Sequence, residues 1–476
     1  MRDLLEKHGI DYLLVNSTNE FLTEYTPLEE NDRYALTGFS GSTGDALLSR
    51  EELWLFVDGR YHIQADQEVC AGVKVVKLQT GQVFLDELAA RIKPDSTLGV
   101  FARKNTQARV EALKGINVKL INTPHPTYGH LLPHWGEGIP LELTGRSTEE
   151  KAAQIKENLL VTNLEEVSYL FNIRDFSQPY TCAVKAKAVV INGKARLFTD
   201  MNEFEEFVRA FEGPLCVDKT TINAYDYGLC KQPCELKDSP IKLMKSIKTD
   251  AEIAHYKEAF RRTDETMRAI RNFIENNDGL SEFDIEQRLE QEFFKHGAKS
   301  LSFRPIVAID KNSALAHYSK ASKEAILKDG GLVLIDCGAY YEGGLATDIT
   351  RVFVKGEPTD LQKKVYTTVL KALEGANGST GYDMDNHVRE FFAQNPIEGF
   401  EFNHGLGHGV GISVHECPPN LSKHELAKTE IKDNMCFSIE PGLYNAERFG
   451  VRLENVCYYK DGKIESFTNM EFEDWK

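Results

Sequence analysis

Residues 331–354 read GLVLIDCGAYYEGGLATDITRVFV, and this stretch determines the architecture of the C-terminal half of the chain. An apolar run reaches Asp336, the segment YYEGG is typical of a hairpin loop, and a returning apolar run carries Asp348. Alternate side chains of paired strands point to the same face of a sheet. The sequence therefore predicts that Asp336 and Asp348 lie close together on one face.

Two further carboxylates follow at the ends of apolar, strand-like runs. Glu440 ends the segment NMCFSIE before a Pro-Gly turn, and Glu454 follows GVRL. Each motif alone is also compatible with an ordinary strand end or turn. Four carboxylates held together would repel one another and raise each other's pKa, and divalent cations remove that repulsion. The clustering therefore favours two metal ions that share bridging carboxylates.

The Gly-rich segment NHGLGHGVGISVHE, residues 403–416, supplies a candidate nitrogen ligand. Its glycines disfavour a helix and allow the backbone to approach neighbouring strands closely. His408 lies deepest in the run and is the candidate metal ligand. His404 and His415 flank it and are candidates to bind a substrate carbonyl or to transfer a proton, with an orienting role as the alternative for His404.

Two more residues of the same region are candidates for the site. His317 lies in KNSALAHYS. A lone histidine is usually structural, but its position in the same unit as the carboxylates favours a substrate contact. Arg452 precedes Glu454 by two residues and therefore shares its strand face. A guanidinium there predicts a bidentate anchor for a metal-bound carboxylate.

Composition limits the class of protein. A length of 476 residues suggests two to four domains, at about 150 residues per domain. The net charge of −17 disfavours nucleic-acid binding, which needs basic surface. The segment MRDLLEKHGIDYLLV has no apolar signal region, and no apolar run approaches the roughly 20 residues of a membrane span. Nine scattered cysteines fit a reducing compartment. We therefore expect a cytoplasmic protein without nucleic-acid or membrane partners.

Three folded units and a linker are predicted along the chain. Residues 1–124 alternate strand-like and helix-like patterns, which indicates an α/β domain, and the His/Pro/Gly-rich residues 125–144 indicate a linker. Residues 145–245 echo the first unit, with LLVNSTNEFL against LLVTNLEEVSYL and LWLFVDGR against ARLFTDMN. Residues 246–476 open with a long helical pattern and are predicted to be α+β, with helices covering an antiparallel sheet.

These segments resemble the pita-bread metallopeptidases, the group of methionine aminopeptidase, prolidase and creatinase. HGLGHGVG, VHE, EPGLY and RLEN are more similar to aminopeptidase P and prolidase than to methionine aminopeptidase. EYTPLEENDRYALTGFSGSTGDALLSREELWLFVDGRYHIQAD resembles the first domain of three-domain aminopeptidase P, and EEVSYLFNIR resembles its second. The resemblance implies two creatinase-type α/β domains followed by a pita-bread α+β catalytic domain.

The resemblance also implies an activity, a ligand set and a metal. The expected reaction is hydrolysis of the Xaa-Pro bond at the N-terminus of peptides with proline at position two, by a hydroxide held between two ions. The expected metal ligands are Asp336, Asp348, His408, Glu440 and Glu454. Asp348 and Glu454 would bridge both ions, Asp336 would bind one ion, and His408 and Glu440 would bind the other. Mn²⁺ is expected, with Zn²⁺ or Co²⁺ as alternatives, and the protein is expected to be a homodimer.

The family's roles extend to the remaining candidates. Glu440 would also be the general base, and His317 and His415 would stabilise the tetrahedral intermediate and assist departure of the proline nitrogen. His404 would line the proline pocket. Proline lacks the N–H that ordinary peptidases bind, so a dedicated pocket is expected.

Two departures from the family pattern bear on these expectations. The interval from Asp336 to Asp348 is one residue longer than usual, near Gly343-Gly344. A glycine bulge would absorb the extra residue, whereas without one Asp348 would point away from the site. The segment that follows Asn-Ile-Arg in FNIRDFSQPY also differs from the expected Pro-rich stretch, which leaves the preferred substrate length open.

Two alternative functions are compatible with the same segments. A prolidase would cleave only Xaa-Pro dipeptides, but the three-domain layout favours aminopeptidase P. A catalytically silent binding protein of the same fold would have lost metal ligands, whereas all five are present here. Creatine hydrolysis is disfavoured because creatinase-type chains have two domains.

Overall fold

The computed structural model describes residues 1–79, 82–122, 136–318 and 320–475. The chain divides into two compact units. Unit 1 comprises Met1–Trp135, Thr148–Phe171 and Val184–Ser239, and unit 2 comprises Gly136–Ser147, Asn172–Ala183 and Pro240–Lys476. The predicted linker, residues 125–144, begins at residues that lie outside the described part of the chain.

The helices and strands are numbered in chain order. The α-helices of the described residues are α1 (Arg2–His8), α2 (Asp32–Thr37), α3 (His62–Glu68), α4 (Phe84–Ala89), α5 (Gln107–Ala112), α6 (Leu141–Thr144), α7 (Thr148–Ala152), α8 (Leu164–Phe171), α9 (Met201–Ala210), α10 (Ala224–Leu229), α11 (Pro240–Ser246), α12 (Asp250–Asn276), α13 (Glu282–Lys295), α14 (Asp360–Gly375) and α15 (Gly381–Gln394). The strands are β1 (Tyr12–Asn16), β2 (Asp45–Leu48), β3 (Leu53–Val57), β4 (Val73–Lys77), β5 (Thr97–Phe101), β6 (Asn117–Ile121), β7 (Glu137–Gly138), β8 (Leu159–Val161), β9 (Ile173–Arg174), β10 (Lys187–Ile191), β11 (Lys194–Phe198), β12 (Leu215–Asp218), β13 (Pro233–Leu236), β14 (Ser300–Leu301), β15 (Ile306–Ile309), β16 (Leu332–Cys337), β17 (Ala339–Tyr340), β18 (Ile349–Val354), β19 (Gly407–Gly409), β20 (Glu416–Leu421), β21 (Cys436–Ile439), β22 (Gly442–Tyr444), β23 (Gly450–Arg452), β24 (Asn455–Lys460) and β25 (Lys463–Ser466).

Unit 1 contains two sheets of related topology. The first has the order β4-β3-β2-β1-β5-β6, and the second has the order β11-β10-β8-β12-β13. In both sheets an antiparallel run of three strands, β1-β2-β3 or β8-β10-β11, is followed by two parallel strands, β5-β6 or β12-β13. The sequence echo therefore has a structural basis, because the similar segments form β1 and β8 and then β3 and β11.

Unit 2 combines long helices with antiparallel strands, as predicted. The strand pairs of β15-β16-β18 and of β20-β19-β21-β24-β25 are antiparallel throughout. Helix α12 begins with a capping box in which Thr249 and Glu252 each satisfy a backbone N–H of the other. No described helix combines the length and hydropathy needed to cross a bilayer.

Strand β16 separates two layers of apolar packing. Val333 and Ile335 pack among side chains from α12 and α13. Leu332 and Leu334 pack in a second cluster that includes side chains from α14 and α15. Since side chains alternate along a strand, Asp336 follows the Leu332 and Leu334 side of the sheet. The packing of the strand therefore fixes the direction in which the first carboxylate points.

The substitution Leu334→Ala is expected to destabilise unit 2 by about 2–5 kcal/mol, because it leaves a cavity between β16 and the α14–α15 layer. Leu334 is 1% exposed. Urea unfolding followed by circular dichroism measures the change. The control Leu426→Ala removes the same atoms at a position that is 67% exposed and is expected to change stability by less than about 0.5 kcal/mol. Equal effects at the two positions would contradict this packing.

Candidate metal centre

The two aspartates of the hairpin lie on one face, as the pattern predicts. Asp336 is paired with Thr350 across β16 and β18, and Asp348 directly precedes β18. Paired residues of adjacent strands share a face, and so do residues two apart on one strand. Both aspartates are buried, Asp336 at 9% and Asp348 at 4% exposure.

The longer interval between the aspartates is taken up by the hairpin loop and not by a bulge. Tyr340 and Ala346 form a bridge in the same register as the pair Asp336 and Thr350. No residue is therefore inserted between these two pairs, and the extra residue falls in the loop. Gly344 in that loop has a φ of +60°, which glycine adopts readily. The second aspartate consequently faces the site.

Two buried side chains hold this loop. Gly343 N donates to His255 Nε2 at 3.2 Å, and Arg174 Nε donates to Gly344 O at 2.9 Å. A Cβ atom at Gly343 would lie 2.4 Å from the His255 ring, so only glycine fits there. Burial lowers the pKa of His255 from 6.5 to about 4. The ring is therefore neutral at pH 7 and accepts the hydrogen bond.

His408 lies in β19, where the glycines give the backbone its close contacts. A Cβ atom at Gly407 would lie 2.1 Å from Ser438 O on the neighbouring strand β21. The Nδ1 atom of His408 is 3.0 Å from Gly409 O and donates to it. The Nε2 atom then faces the carboxylates, 3.3 Å from Glu440 Oε1 and 3.7 Å from Asp348 Oδ2. Without a cation, burial acts to lower the pKa of His408, but Glu440 raises it to about 9. A cation bound at Nε2 would take the place of that proton, while Nδ1–H keeps its bond to Gly409 O.

The two glutamates approach from β21 and from the chain between β23 and β24. Glu440 follows β21, and its Oε1 accepts a hydrogen bond from Ser438 Oγ at 3.2 Å. Glu454 N donates to Thr350 O, and Thr350 Oγ1 donates to Glu454 Oε2 at 2.7 Å. Thr350 thus ties Glu454 to the strand that follows Asp348. The structure therefore brings Asp348, His408 and Glu454 into one group, with Glu440 beside His408 and Asp336 linked to Thr350 through Arg452.

The carboxylates retain oxygen atoms that no hydrogen-bond donor satisfies. Asp336 Oδ1, Asp348 Oδ1 and Glu454 Oε1 are buried without a partner in the described part of the chain. Ligand atoms of Asp348, His408 and Glu454 all lie within 4.8 Å of one another. Burial and the neighbouring carboxylates raise the pKa of Asp348 and of Glu454 well above their usual values. Buried oxygens without donors, together with one imidazole, fit divalent cations.

Arg452 binds four oxygen atoms around the site. Its Nη2 lies 2.5 Å from Asp336 Oδ2, and its Nη1 donates to Tyr444 OH at 3.0 Å and to Ala316 O at 3.1 Å. Its Nε donates to Thr350 Oγ1 at 3.3 Å. The predicted bidentate pair with a carboxylate is wrong, because only one guanidinium nitrogen contacts Asp336. Arg452 leaves Asp336 Oδ1 available to a cation.

The three candidate histidines occupy different parts of the site. His404 Nε2 is 2.8 Å from Tyr444 OH, and burial lowers the pKa of His404 to about 4. The ring of His415 contacts that of His408 edge to face, with 4.5 Å between centroids. His317 is partly buried and directly follows Ala316, whose carbonyl binds Arg452.

Sequence reasoning did not assign roles to two residues that organise the centre. Thr350 contacts Glu454 and Arg452, and Tyr444 contacts His404 and Arg452. The alternation of strand residues contained the signal for Thr350, two residues after Asp348. Tyr444 carries no such signal, because its contacts come from the chain folding back on itself.

Comparisons with known proteins agree with this arrangement. Residues 1–128 and 138–231 each match the Creatinase/Prolidase N-terminal domain, and residues 254–461 match Metallopeptidase family M24. Residues 254–461 therefore form a metallopeptidase family M24 domain. The fold of the chain is thus two creatinase-type N-terminal domains followed by the pita-bread domain, as the sequence predicts.

Relatives are similar to this chain over most of its length. The probable Xaa-Pro aminopeptidase P of Ajellomyces capsulatus strain NAm1 / WU24 is 27% identical over 97% of this chain and 86% of its own length. That of Laccaria bicolor is 27% identical over 97% of this chain and 82% of its own length. The X-prolyl aminopeptidase of Caenorhabditis elegans, described as a cytosolic enzyme with a di-nuclear active site, has a TM-score of 0.85 at 20% identity and covers 98% of this chain and 87% of its own. At that identity the likeness establishes the fold.

The substitutions Asp348→Asn and His408→Ala are each expected to lower the metal content of the M24 domain by at least half, because each removes a donor from the buried cluster. Inductively coupled plasma mass spectrometry after dialysis against Mn²⁺ measures the bound metal. The control Asp383→Asn changes an exposed aspartate of α15 and should leave the content unchanged. Wild-type metal content in both site variants would contradict the assignment.

The substitution His255→Gln is expected to reduce the loss of stability at acid pH. The folded-state pKa of His255 is lowered from 6.5 to about 4, so its contribution is complete above about pH 6.5 and is lost as the pH falls toward 4. Glutamine retains an acceptor for Gly343 N–H and does not titrate. Urea midpoints of metal-free protein at pH 7 and pH 4.5 should therefore differ less in the variant. Identical differences in both proteins would refute this account.

Proposed function

We propose that this chain is a metal-dependent Xaa-Pro aminopeptidase, which releases the first residue from peptides with proline at position two. The observation that carries the proposal is the buried group of carboxylate oxygens without donors beside His408 Nε2. Relatives matched over 97% of this chain are named probable Xaa-Pro aminopeptidase P. The alternatives, a prolidase and a silent binding protein, have less support, because all five expected ligand residues are present in the sequence and the chain matches two N-terminal domains.

The proposed ligand set divides between two divalent cations. Asp348 and Glu454 would contact both ions, Asp336 would contact one, and His408 with Glu440 would contact the other. When bound, the ions polarise the scissile carbonyl and lower the pKa of the attacking water. Mn²⁺ is the proposed metal, with Zn²⁺ and Co²⁺ as alternatives, since an imidazole among oxygen donors suits transition metals.

Glu440 is the proposed general base. Its side chain is 18% exposed, compared with 6% for Asp348 and 12% for Asp336. A water molecule therefore reaches Glu440 more easily than the two aspartates. Burial acts to raise the pKa of Glu440, but the hydrogen bond and charge of His408 lower it to about 2. The ionised carboxylate orients the water and accepts its proton.

The histidines have proposed roles on the substrate side. His317 and His415 would donate hydrogen bonds to the oxygen of the tetrahedral intermediate and assist protonation of the departing proline nitrogen. His404 would line the proline pocket with Phe402 and Tyr444, whose ring centroids lie 4.9 Å and 5.4 Å from that of His404. These aromatic faces give the proline ring an apolar surface. Arg452 would orient Asp336 through its Nη2 contact.

The net charge and the family resemblance support a proposal about the location, oligomeric state and partners of the enzyme. We propose a cytoplasmic homodimer that acts on peptides and binds neither nucleic acid nor membrane. The net charge of −17 disfavours association with polyanions. We also propose that the domain boundaries fall as predicted, with units 1–124, 145–245 and 246–476 around a linker at 125–144.

The proposal predicts that the protein cleaves Xaa-Pro peptides longer than two residues, and that substitution of Glu440 slows this cleavage. Mn²⁺-loaded protein should release the first residue from Xaa-Pro-Yaa peptides, as measured by chromatography of the products. The substitution Glu440→Gln retains a carbonyl oxygen but removes the base, so kcat should fall about 10²–10⁴-fold.

The matched control for this experiment is Glu447→Gln, since the side chain of Glu447 is 86% exposed. This variant should keep the wild-type rate. Cleavage confined to Xaa-Pro dipeptides would instead identify a prolidase. Absence of turnover with Mn²⁺, Zn²⁺ and Co²⁺ would leave a binding protein.

A further inference from the structure

A buried ion cluster lies behind the Gly-rich segment that carries His408 and His415. Glu416, the first residue of β20, is 3% exposed. Its Oε1 lies 2.7 Å from Lys248 Nζ, and its Oε2 lies 2.9 Å from Lys245 Nζ. Both lysines are also buried, at 3% and 7% exposure. Lys245 lies in the last turn of α11, and Lys248 lies between α11 and α12. Neither the metal ligands nor the proposed catalytic residues include any of these three groups.

The same carboxylate binds the backbone of the Gly-rich segment. Ile412 N donates to Glu416 Oε2 at 3.2 Å. A Cβ atom at Gly411 would lie 2.1 Å from that oxygen, so the carboxylate fills the space beside the glycine. The lysines hold the carboxylate on one side, and the backbone of residues 411–412 occupies the other.

The hairpin that carries Asp336 and Asp348 binds the opposite side of this backbone. Tyr340 OH donates to Ile412 O at 2.9 Å, and Ala346 N donates to Gly411 O at 2.8 Å. Tyr340 and Ala346 are the last bridged pair of the hairpin that carries both aspartates. The peptide between the two histidines is therefore clamped between Glu416 and the hairpin.

The position of His415 depends on this clamp. His415 directly precedes Glu416 in sequence, and its ring contacts the ring of His408 at 4.5 Å between centroids. A carboxylate anchored by two buried cations moves little, because breaking either pair would leave a buried charge uncompensated. Its neighbour in sequence is therefore restricted as well.

We propose that Glu416, anchored by Lys245 and Lys248, is a positioning residue that fixes the His408–His415 ring pair by holding Ile412 N. This inference rests on the proposed function only for its effect on turnover. The hold on residues 407–415 is a property of the chain itself and is measurable without metal or substrate.

The test uses two substitutions at Glu416 in the full-length protein. Glu416→Asp keeps the charge for both lysines but shortens the reach to Ile412 N, and Glu416→Gln keeps the reach but removes the charge. Both should lower kcat for an Xaa-Pro-Yaa peptide about 10- to 100-fold, with KM and Mn²⁺ content changed less than about threefold. Hydrogen–deuterium exchange of metal-free protein should increase in residues 407–415 but not in α12.

Two further variants keep the test decisive. Tyr340→Phe removes the hydroxyl that binds Ile412 O from the hairpin side, and it should increase exchange in the same residues even if the Glu416 variants fold poorly. Glu292→Gln is the matched control, since Glu292 is 2% exposed and pairs with Arg288 and Lys295 in α13. It should leave kcat and the exchange of residues 407–415 unchanged.

The outcomes separate this inference from the proposed function. Wild-type kcat in Glu416→Asp and Glu416→Gln would overturn it, and so would loss of kcat in proportion to lost metal or with increased exchange throughout unit 2. If wild-type protein cleaves no Xaa-Pro peptide, the proposed function fails. In that case unchanged exchange of residues 407–415 in the Glu416 variants would overturn the positioning role, and increased exchange would support it.

Discussion

The repulsion among four neighbouring carboxylates, three of them buried, is the constraint on which the rest of unit 2 depends. Burial and mutual repulsion raise the pKa of Asp348 and Glu454, so these carboxylates favour protonation unless cations neutralise them. A cluster of this kind remains assembled only if the surrounding packing holds it or if cations neutralise it. The carboxylate oxygens without donors are available to bind cations, and Arg452 and His408 supply part of the positive charge.

The packing that holds the cluster comes from ordinary strand geometry. Leu332 and Leu334 fill one apolar layer, and the same alternation carries Asp336 to that side of β16. The hairpin register pairs Asp336 with Thr350, so Asp348, two residues before Thr350, shares this face, and Thr350 is bonded to Glu454. The core and the site therefore use alternate positions of the same strand pair. A change in register would disrupt this packing and separate the ligands at the same time.

The sequence was sufficient for the parts of this arrangement that depend on local periodicity. The long helices, the hairpin, the shared face of the aspartates and the repeated α/β topology of unit 1 follow from patterns within short segments. The roles of Thr350 and Tyr444 and the single contact between Arg452 and Asp336 could not be predicted. They depend on how β22 and β23 approach β16 and β18, which no periodicity within one segment encodes. The expected glycine bulge was also wrong, because a longer loop accommodates an extra residue without disturbing the ladder.

The glycines of residues 405–411 explain why the backbone of this segment must be held by contacts from other parts of unit 2. They allow close contact with β20 and β21, but glycine also has the largest backbone freedom of any residue. A segment that carries His408 and leads to His415 would be poorly ordered if its own side chains had to fix it. Contacts from outside must therefore restrict its backbone, and Ser438, Tyr340 and Glu416 each supply one. Close packing at the metal ligands requires glycines, and the freedom of those glycines in turn requires the contacts from the buried cluster of Glu416, Lys245 and Lys248.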